Sequence, residues 1–74
     1  MTVFRIIRRT QELDPTLYFV IVSAVPAEGT YGAQDILVRT GNAFARDAAR
    51  KMEQQFEEQL VGEIRARGHT LIAS

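Results

Sequence analysis

The chain has 74 residues, which is enough for one small domain with a single hydrophobic core. It contains no cysteine, so disulfides and thiolate metal sites are excluded. Nine Lys and Arg residues balance nine Asp and Glu residues. This balance gives the chain no overall attraction to nucleic acid or to an anionic membrane, so either role would require a local patch.

The N-terminal residues lack the continuous apolar region and cleavage site of a signal peptide. The longest apolar run is too short to cross a bilayer as a helix. We therefore expect a single domain over residues 1–74, located in the cytoplasm and not in a membrane.

The N-terminal third of the chain predicts a β-hairpin. Residues 3–10 are rich in β-branched and aromatic side chains, which predicts strand one. Residues 11–15 predict a turn, because the residue before Pro15 avoids helical conformations and Pro15 donates no ladder hydrogen bond. Residues 17–25 predict strand two, which Pro26 ends.

Strand two carries apolar side chains on both of its faces. One face has Leu17, Phe19, Ile21 and Val25, and the other has Tyr18, Val20, Val22 and Ala24. Such a strand is typical of the middle of a sheet that is covered on both sides.

A loop with two glycines follows strand two and reaches about Ala33. We interpret it as a connector, with a recognition loop around Tyr31 as the alternative. Residues 35–40 predict a short third strand, with a helical turn as the alternative, and residues 70–73 predict a short last strand.

One long amphipathic helix is predicted from Asn42, as N-cap, to Gly68, as C′ residue. Its apolar stripe consists of Ala45, Ala48, Ala49, Met52, Phe56, Leu60 and Ile64. The helix would be roughly 39 Å long, against about 26 Å for an eight-residue strand, so we expect it to overhang its sheet. The predicted fold class is α+β: a small antiparallel or mixed sheet, in the order β-β-β-α-β, with the helix on one face.

A single helix covers only one face of a sheet, so strand two predicts a second covering element. A homodimer, packed sheet on sheet or through helix ends, is the simplest expectation for a chain too small for two cores. The residues predicted for a dimer or partner interface are Tyr18, Val20, Val22, Leu60 and Ile64.

No pattern of titratable residues predicts catalysis. His69 is the single histidine, and no ligand set at metal-binding spacing accompanies it. We interpret the glutamates of the predicted helix as a solvated surface and not as acid–base pairs. We expect no catalytic, metal or cofactor site and a non-enzymatic function, with a small enzyme or enzyme subunit as the least favoured alternative.

The arginines of strand one are the nearest approach to a basic patch. Arg5, Arg8 and Arg9 would suit phosphate contacts from a β-ribbon, with Arg39 as a weaker member. We interpret them first as charges that protect an edge strand from aggregation. Nucleic-acid binding through them is the alternative function.

The C-terminal half combines an alanine-rich helix, a charged segment, a glycine and a short extended tail. The positions that carry this pattern are Ala45, Ala48, Ala49, Leu60, Gly68 and Leu71. Together with the preceding hairpin, glycine-containing loop and third strand, the pattern resembles HicB-type antitoxins. The resemblance implies a partial RNase H-like β-β-β-α-β domain. It also implies an antitoxin-like interaction module that binds a protein partner.

Overall fold

The computed structural model describes residues 3–27 and 36–72 of the chain. It contains five elements, β1 (Val3–Glu12), β2 (Leu17–Pro26), β3 (Leu37–Phe44), α1 (Arg46–Ala66) and β4 (Thr70–Leu71). The strands form a mixed sheet in the order β3-β2-β1-β4, in which β4 lies parallel to β1 and the other pairs are antiparallel. The predicted α+β class is confirmed. The predicted recognition loop around Tyr31, and the outer residues Asp35 and Ala73 of two predicted strands, lie outside the described residues.

The β1–β2 hairpin turns at Asp14, within the predicted segment. The Asp14 Oδ1 atom accepts hydrogen bonds from the backbone N–H groups of Thr16 at 2.8 Å and Leu17 at 3.0 Å. It also accepts one from the Thr16 hydroxyl at 3.0 Å. These bonds, led by the Thr16 N–H, hold the pKa of Asp14 below its ordinary value of 3.8.

The third strand and the start of the helix differ from the prediction. β3 runs through Gly41 and Asn42 to Phe44, and the helix begins at Arg46. Ala45, with φ of 72°, turns the chain between the two elements, so Asn42 is not the N-cap. Gly41 serves close packing instead of a break: a Cβ atom there would lie 2.9 Å from Met52 Sδ and 3.2 Å from Phe56 Cζ.

The helix ends as predicted. Gly68 has φ of 79°, its N–H donates to the Arg65 carbonyl at 3.0 Å, and the His69 N–H donates to the Ile64 carbonyl at 3.1 Å. These two bonds form a Schellman motif with Gly68 at C′. The helix has 21 residues, β1 and β2 have ten each and β3 has eight, so α1 is about 32 Å long, β1 and β2 about 33 Å and β3 about 26 Å. The predicted excess length of the helix is therefore absent against β1 and β2 and remains only against β3.

The core lies between α1 and one face of the sheet. Its largest fully buried side chains are Phe4, Leu60, Ile64, Val20 and Val22. All five residues predicted for a dimer or partner interface, Tyr18, Val20, Val22, Leu60 and Ile64, belong to this core and are at most 8% exposed. That interface prediction is wrong, because α1 covers the face of β2 to which Tyr18, Val20 and Val22 belong.

Candidate interaction face of the sheet

The face of the sheet opposite α1, called the open face here, is covered by no element among the described residues. Strand alternation gives it one set of side chains from each long strand. They are Val3, Arg5, Ile7, Arg9 and Gln11 from β1, Leu17, Phe19, Ile21, Ser23 and Val25 from β2, and Val38, Thr40, Asn42 and Phe44 from β3. All of them are half-buried or exposed.

An apolar strip runs along the middle of the open face. Leu17, Phe19, Ile21 and Val25 of β2 form it, all four are half-buried, and β2 lies between β1 and β3 in the sheet. Exposed apolar side chains of β1 and β3 extend the strip on both sides. These are Ile7 at 39% exposed, Val38 at 43% and Phe44 at 71%. Contiguous exposed apolar surface of this kind usually marks an interaction site.

The charged side chains of the open face are both basic. Arg5 pairs across the strands with Val25, and Arg9 pairs with Ile21, so each guanidinium borders the apolar strip. No carboxylate lies on the open face among the described residues, and neither arginine forms an ion pair there. The face therefore presents apolar surface with positive charge along its β1 side.

The other two arginines of the predicted basic patch lie on the helix side of the sheet. Arg8 forms an ion pair with Glu57 of α1 at 3.2 Å, and Arg39 forms one with Glu63. The structure thus separates Arg8 and Arg39 from Arg5 and Arg9. The basic surface available to a partner on the open face is smaller than the sequence predicts.

The open face has a concavity that is open to solvent. Ile7, Arg9, Ile21, Ser23 and Val25 line the concavity. A second depression continues from it over Arg9 and Ile21 toward the free edge of β1. These shapes suit contact with another macromolecular surface better than a bound small molecule, because small-molecule sites bury most of the ligand.

The titratable residues considered for chemistry are not grouped. His69 is half-buried with its ring centroid 5.1 Å from that of Phe4. Glu53 accepts a hydrogen bond from the Thr10 hydroxyl, while Glu57 and Glu63 bind arginines. Within residues 3–27 and 36–72, no three His, Cys, Asp or Glu side chains form a group that would hold a metal ion.

Comparisons with protein-family models, with curated proteins and with solved structures find no match. In the part of the chain that the structure describes, no helix is long and apolar enough to span a membrane.

Proposed function

We propose that this protein is a small, non-enzymatic interaction module of the cytoplasm that acts as a homodimer and binds a protein partner through the open face. The observation that carries the proposal is the apolar strip of β2, left without cover and bordered by Arg5 and Arg9. An antitoxin-like role, with a toxin-like protein as the partner, is the specific form that the resemblance to HicB-type antitoxins implies.

The chemistry of the open face defines the partner surface that fits it. Burying apolar side chains such as Phe19, Ile21 and Val25 against another apolar surface gains about 25 cal/mol for each Å² removed from water. Arg5 and Arg9 sit beside the strip, where they would face carboxylates at the border of the contact. Such border charges mainly increase the association rate and the specificity of an interface. We expect a partner with an apolar patch and Asp or Glu side chains along one side.

Nucleic-acid binding is the second candidate, because Arg9 and Phe19 share the open face with Arg5. Single-stranded nucleic acids stack their bases on aromatic rings and pair their phosphates with basic side chains. Two features favour a protein instead. The strip is mostly aliphatic, and Arg8 and Arg39 are paired with glutamates on the other side of the sheet.

A photo-crosslinking experiment separates the two candidates. A benzophenone amino acid placed at Ile21 lies on the open face, and the same residue at Gln54 lies on the exposed side of α1 as a matched control. In cells that naturally produce the chain, we expect one distinct protein adduct from position 21 that position 54 does not give. The substitutions Arg5→Glu and Arg9→Glu should weaken that adduct.

Two other outcomes of the crosslinking experiment would count against a protein partner on the open face. Adducts with nucleic acid from position 21 would replace the protein partner with the second candidate. The same adducts from positions 21 and 54 would show that the open face has no preferred partner, and the proposal would fail.

A further inference from the structure

Among residues 3–27 and 36–72, the outer edge of β3 is a free strand edge. β3 is the terminal strand of the sheet, next to β2. The Ala45 N–H donates to the Thr16 carbonyl at 2.8 Å, and hydrogen-bonded pairs recur at every second residue of an antiparallel ladder. The N–H and C=O groups that point away from β2 therefore belong to Val38, Thr40, Asn42 and Phe44. Within the described residues no strand pairs with this edge.

Within the described residues, this edge lacks the features that usually prevent strand pairing. Natural edge strands are protected by proline, exposed charge, bulges or shortness. β3 has eight residues and no proline, and its one charged residue, Arg39, is bound to Glu63 on the helix side. The free part of β1 at the other side of the sheet is different, because Arg8, Arg9 and Glu12 lie along it.

The edge of β3 is complementary to itself. When a second copy is placed antiparallel with the twofold axis at Gly41, Val38 lies opposite Phe44 of the second copy. Thr40 then lies opposite Asn42. Apolar side chains meet apolar ones, and side chains that form hydrogen bonds meet each other. Cross-strand pairs of these kinds stabilise a sheet, and no like charges face each other.

The helix above this edge presents an uncharged row toward the same side. Met52 packs over Gly41 of β3, whereas Glu53 contacts Thr10 of β1. Met52 therefore lies on the flank of α1 that faces β3, and Glu53 lies on the flank that faces β1. Helical periodicity places a row on the β3 flank with spacings of four, three and four residues. The row consists of Ala48, Met52, Gln55 and Gln59. Three of its members are exposed and Met52 is half-buried.

The dimensions of a paired dimer allow the two rows to meet. α1 packs mainly on β2 and β3, and neighbouring strands are about 4.8 Å apart. A helix axis midway between β2 and β3 lies about 5 Å from a twofold axis at the β3 edge. The two helix axes are then about 10 Å apart, at the upper end of the 8–10 Å range for packed helices.

We propose that β3 pairs antiparallel with β3 of a second copy around Gly41, and that the two α1 helices pack along the row from Ala48 to Gln59. This inference depends on the homodimer of the proposed function and specifies its interface. The paired sheets form one eight-stranded sheet. Both open faces stay accessible on the same side of it, so the dimer presents a doubled apolar surface to the protein partner.

Two proline variants test the paired edge. Thr40→Pro removes an N–H that points to the second copy, whereas Thr10→Pro removes an N–H that points outward from the free part of β1. Light scattering at tens of micromolar should give twice the chain mass of 8.3 kDa for the unaltered protein and for Thr10→Pro. For Thr40→Pro we expect the dissociation constant of the dimer to rise at least tenfold, while circular dichroism still shows a folded domain.

A cysteine pair tests the register and remains decisive if Thr40→Pro does not fold. The chain has no cysteine of its own. Thr40 and Asn42 lie opposite each other across the proposed axis, at the distance of about 5.5 Å between Cα atoms that a disulfide accepts. Under mild oxidation, a mixture of Thr40→Cys and Asn42→Cys chains should cross-link faster than either chain alone. A mixture of Thr10→Cys and Asn42→Cys is the control.

The outcomes separate this inference from the proposed function. A monomer at tens of micromolar would overturn both the paired edge and the homodimer. A Thr40→Pro dimer as tight as the unaltered one, or cross-linking without preference for the Thr40–Asn42 mixture, would overturn the paired edge alone. The partner contact of the open face is tested independently by the crosslink at position 21.

Discussion

The covered face of the sheet and its open face differ in how deeply their apolar side chains are buried. On β2, Tyr18, Val20, Val22 and Ala24 of the covered face are at most 8% exposed, whereas Leu17, Phe19, Ile21 and Val25 of the open face are half-buried. On β3, Gly41 lies under Met52 and Phe56, and its lack of a side chain lets the helix approach the sheet closely. The covered face is thus fitted to α1, and the open face has no such cover among the described residues.

The arginines of the two faces show the same difference. Arg8 and Arg39 on the covered side are each neutralised by a glutamate of α1. Arg5 and Arg9 on the open face have no ion-pair partner within the described residues. The arginines of the covered side are thus paired within the chain, whereas those of the open face could pair with an external carboxylate or phosphate.

Placing a carboxylate on each face of β2 should give the largest difference. In Val22→Asp the new charge is buried without a partner, which costs several kcal/mol. A domain of this size has only about 3–5 kcal/mol of stability from its core, so we expect Val22→Asp to be unfolded. Ile21→Asp should remain folded and lose about 1 kcal/mol, because aspartate is a poor strand residue at either position.

Urea unfolding monitored by circular dichroism measures the free energy of both variants. The strand-propensity cost is shared by these neighbouring positions, so the difference between the variants reports the face alone. Equal destabilisation by Ile21→Asp and Val22→Asp would mean that the open face is also covered in the folded chain and that the two faces do not differ in burial.

The close approach of the helix over β3 predicts a smaller effect. Gly41→Val puts methyl groups into the space of Met52 Sδ and should cost about 1–3 kcal/mol by overpacking. Gln11→Val, on the open face of β1 and away from the proposed dimer interface, should change stability by less than about 0.5 kcal/mol. Combining Gly41→Val with Met52→Ala should cost less than the sum of the two single changes. Additive costs in thermal unfolding would show that Gly41 and Met52 are not in contact.

Local chemistry makes much of this fold predictable from the sequence. The turn at Asp14 and Pro15 follows from their conformational limits, and the helix end at Gly68 follows from its tolerance of positive φ. Alternation along strand one also puts Arg5 and Arg9 on one face and Arg8 on the other, so the three arginines predicted as one patch do not share a face. These features depend on a few neighbouring residues, so one sequence is sufficient to find them.

The choice of face and the start of the helix depend on contacts between distant residues. Strand two has two apolar faces, and its alternation alone does not show which one the helix covers. Side-chain size does not show it either, since Tyr18 on the covered face is as large as Phe19 on the open face. A glycine in a strand pattern indicates either a break in the strand or a close approach of other atoms. The position of Met52 against Gly41 shows that here it is a close approach.

Removing one arginine from each face should give a still smaller difference. The Arg39 and Glu63 side chains are 34% and 35% exposed, so Arg39→Gln should cost about 0.5–1 kcal/mol after solvent screening. Arg5→Gln on the open face should leave the free energy of unfolding unchanged within about 0.3 kcal/mol. High salt should reduce the difference between the two variants in urea unfolding. A loss in Arg5→Gln equal to that in Arg39→Gln would reveal an acidic neighbour of Arg5 within the chain.

The smallest effect concerns Asp14, which lies in the hairpin turn and belongs to neither face. Its folded-state pKa is lowered by hydrogen bonds from Thr16 and Leu17, so the folded chain binds fewer protons than the unfolded chain just below pH 3.8. The stability contributed by the ionised carboxylate is therefore fully present above the ordinary pKa and is lost as the pH falls through the lowered one.

Asp14→Asn keeps an acceptor without the charge, so it should melt at a lower temperature than the unaltered protein near pH 7. The two melting temperatures should converge in acid. Because the turn belongs to neither face, the same convergence is expected when both proteins also carry Ile21→Asp. A constant difference between the unaltered protein and Asp14→Asn across this pH range would show that the charge of Asp14 does not stabilise the turn.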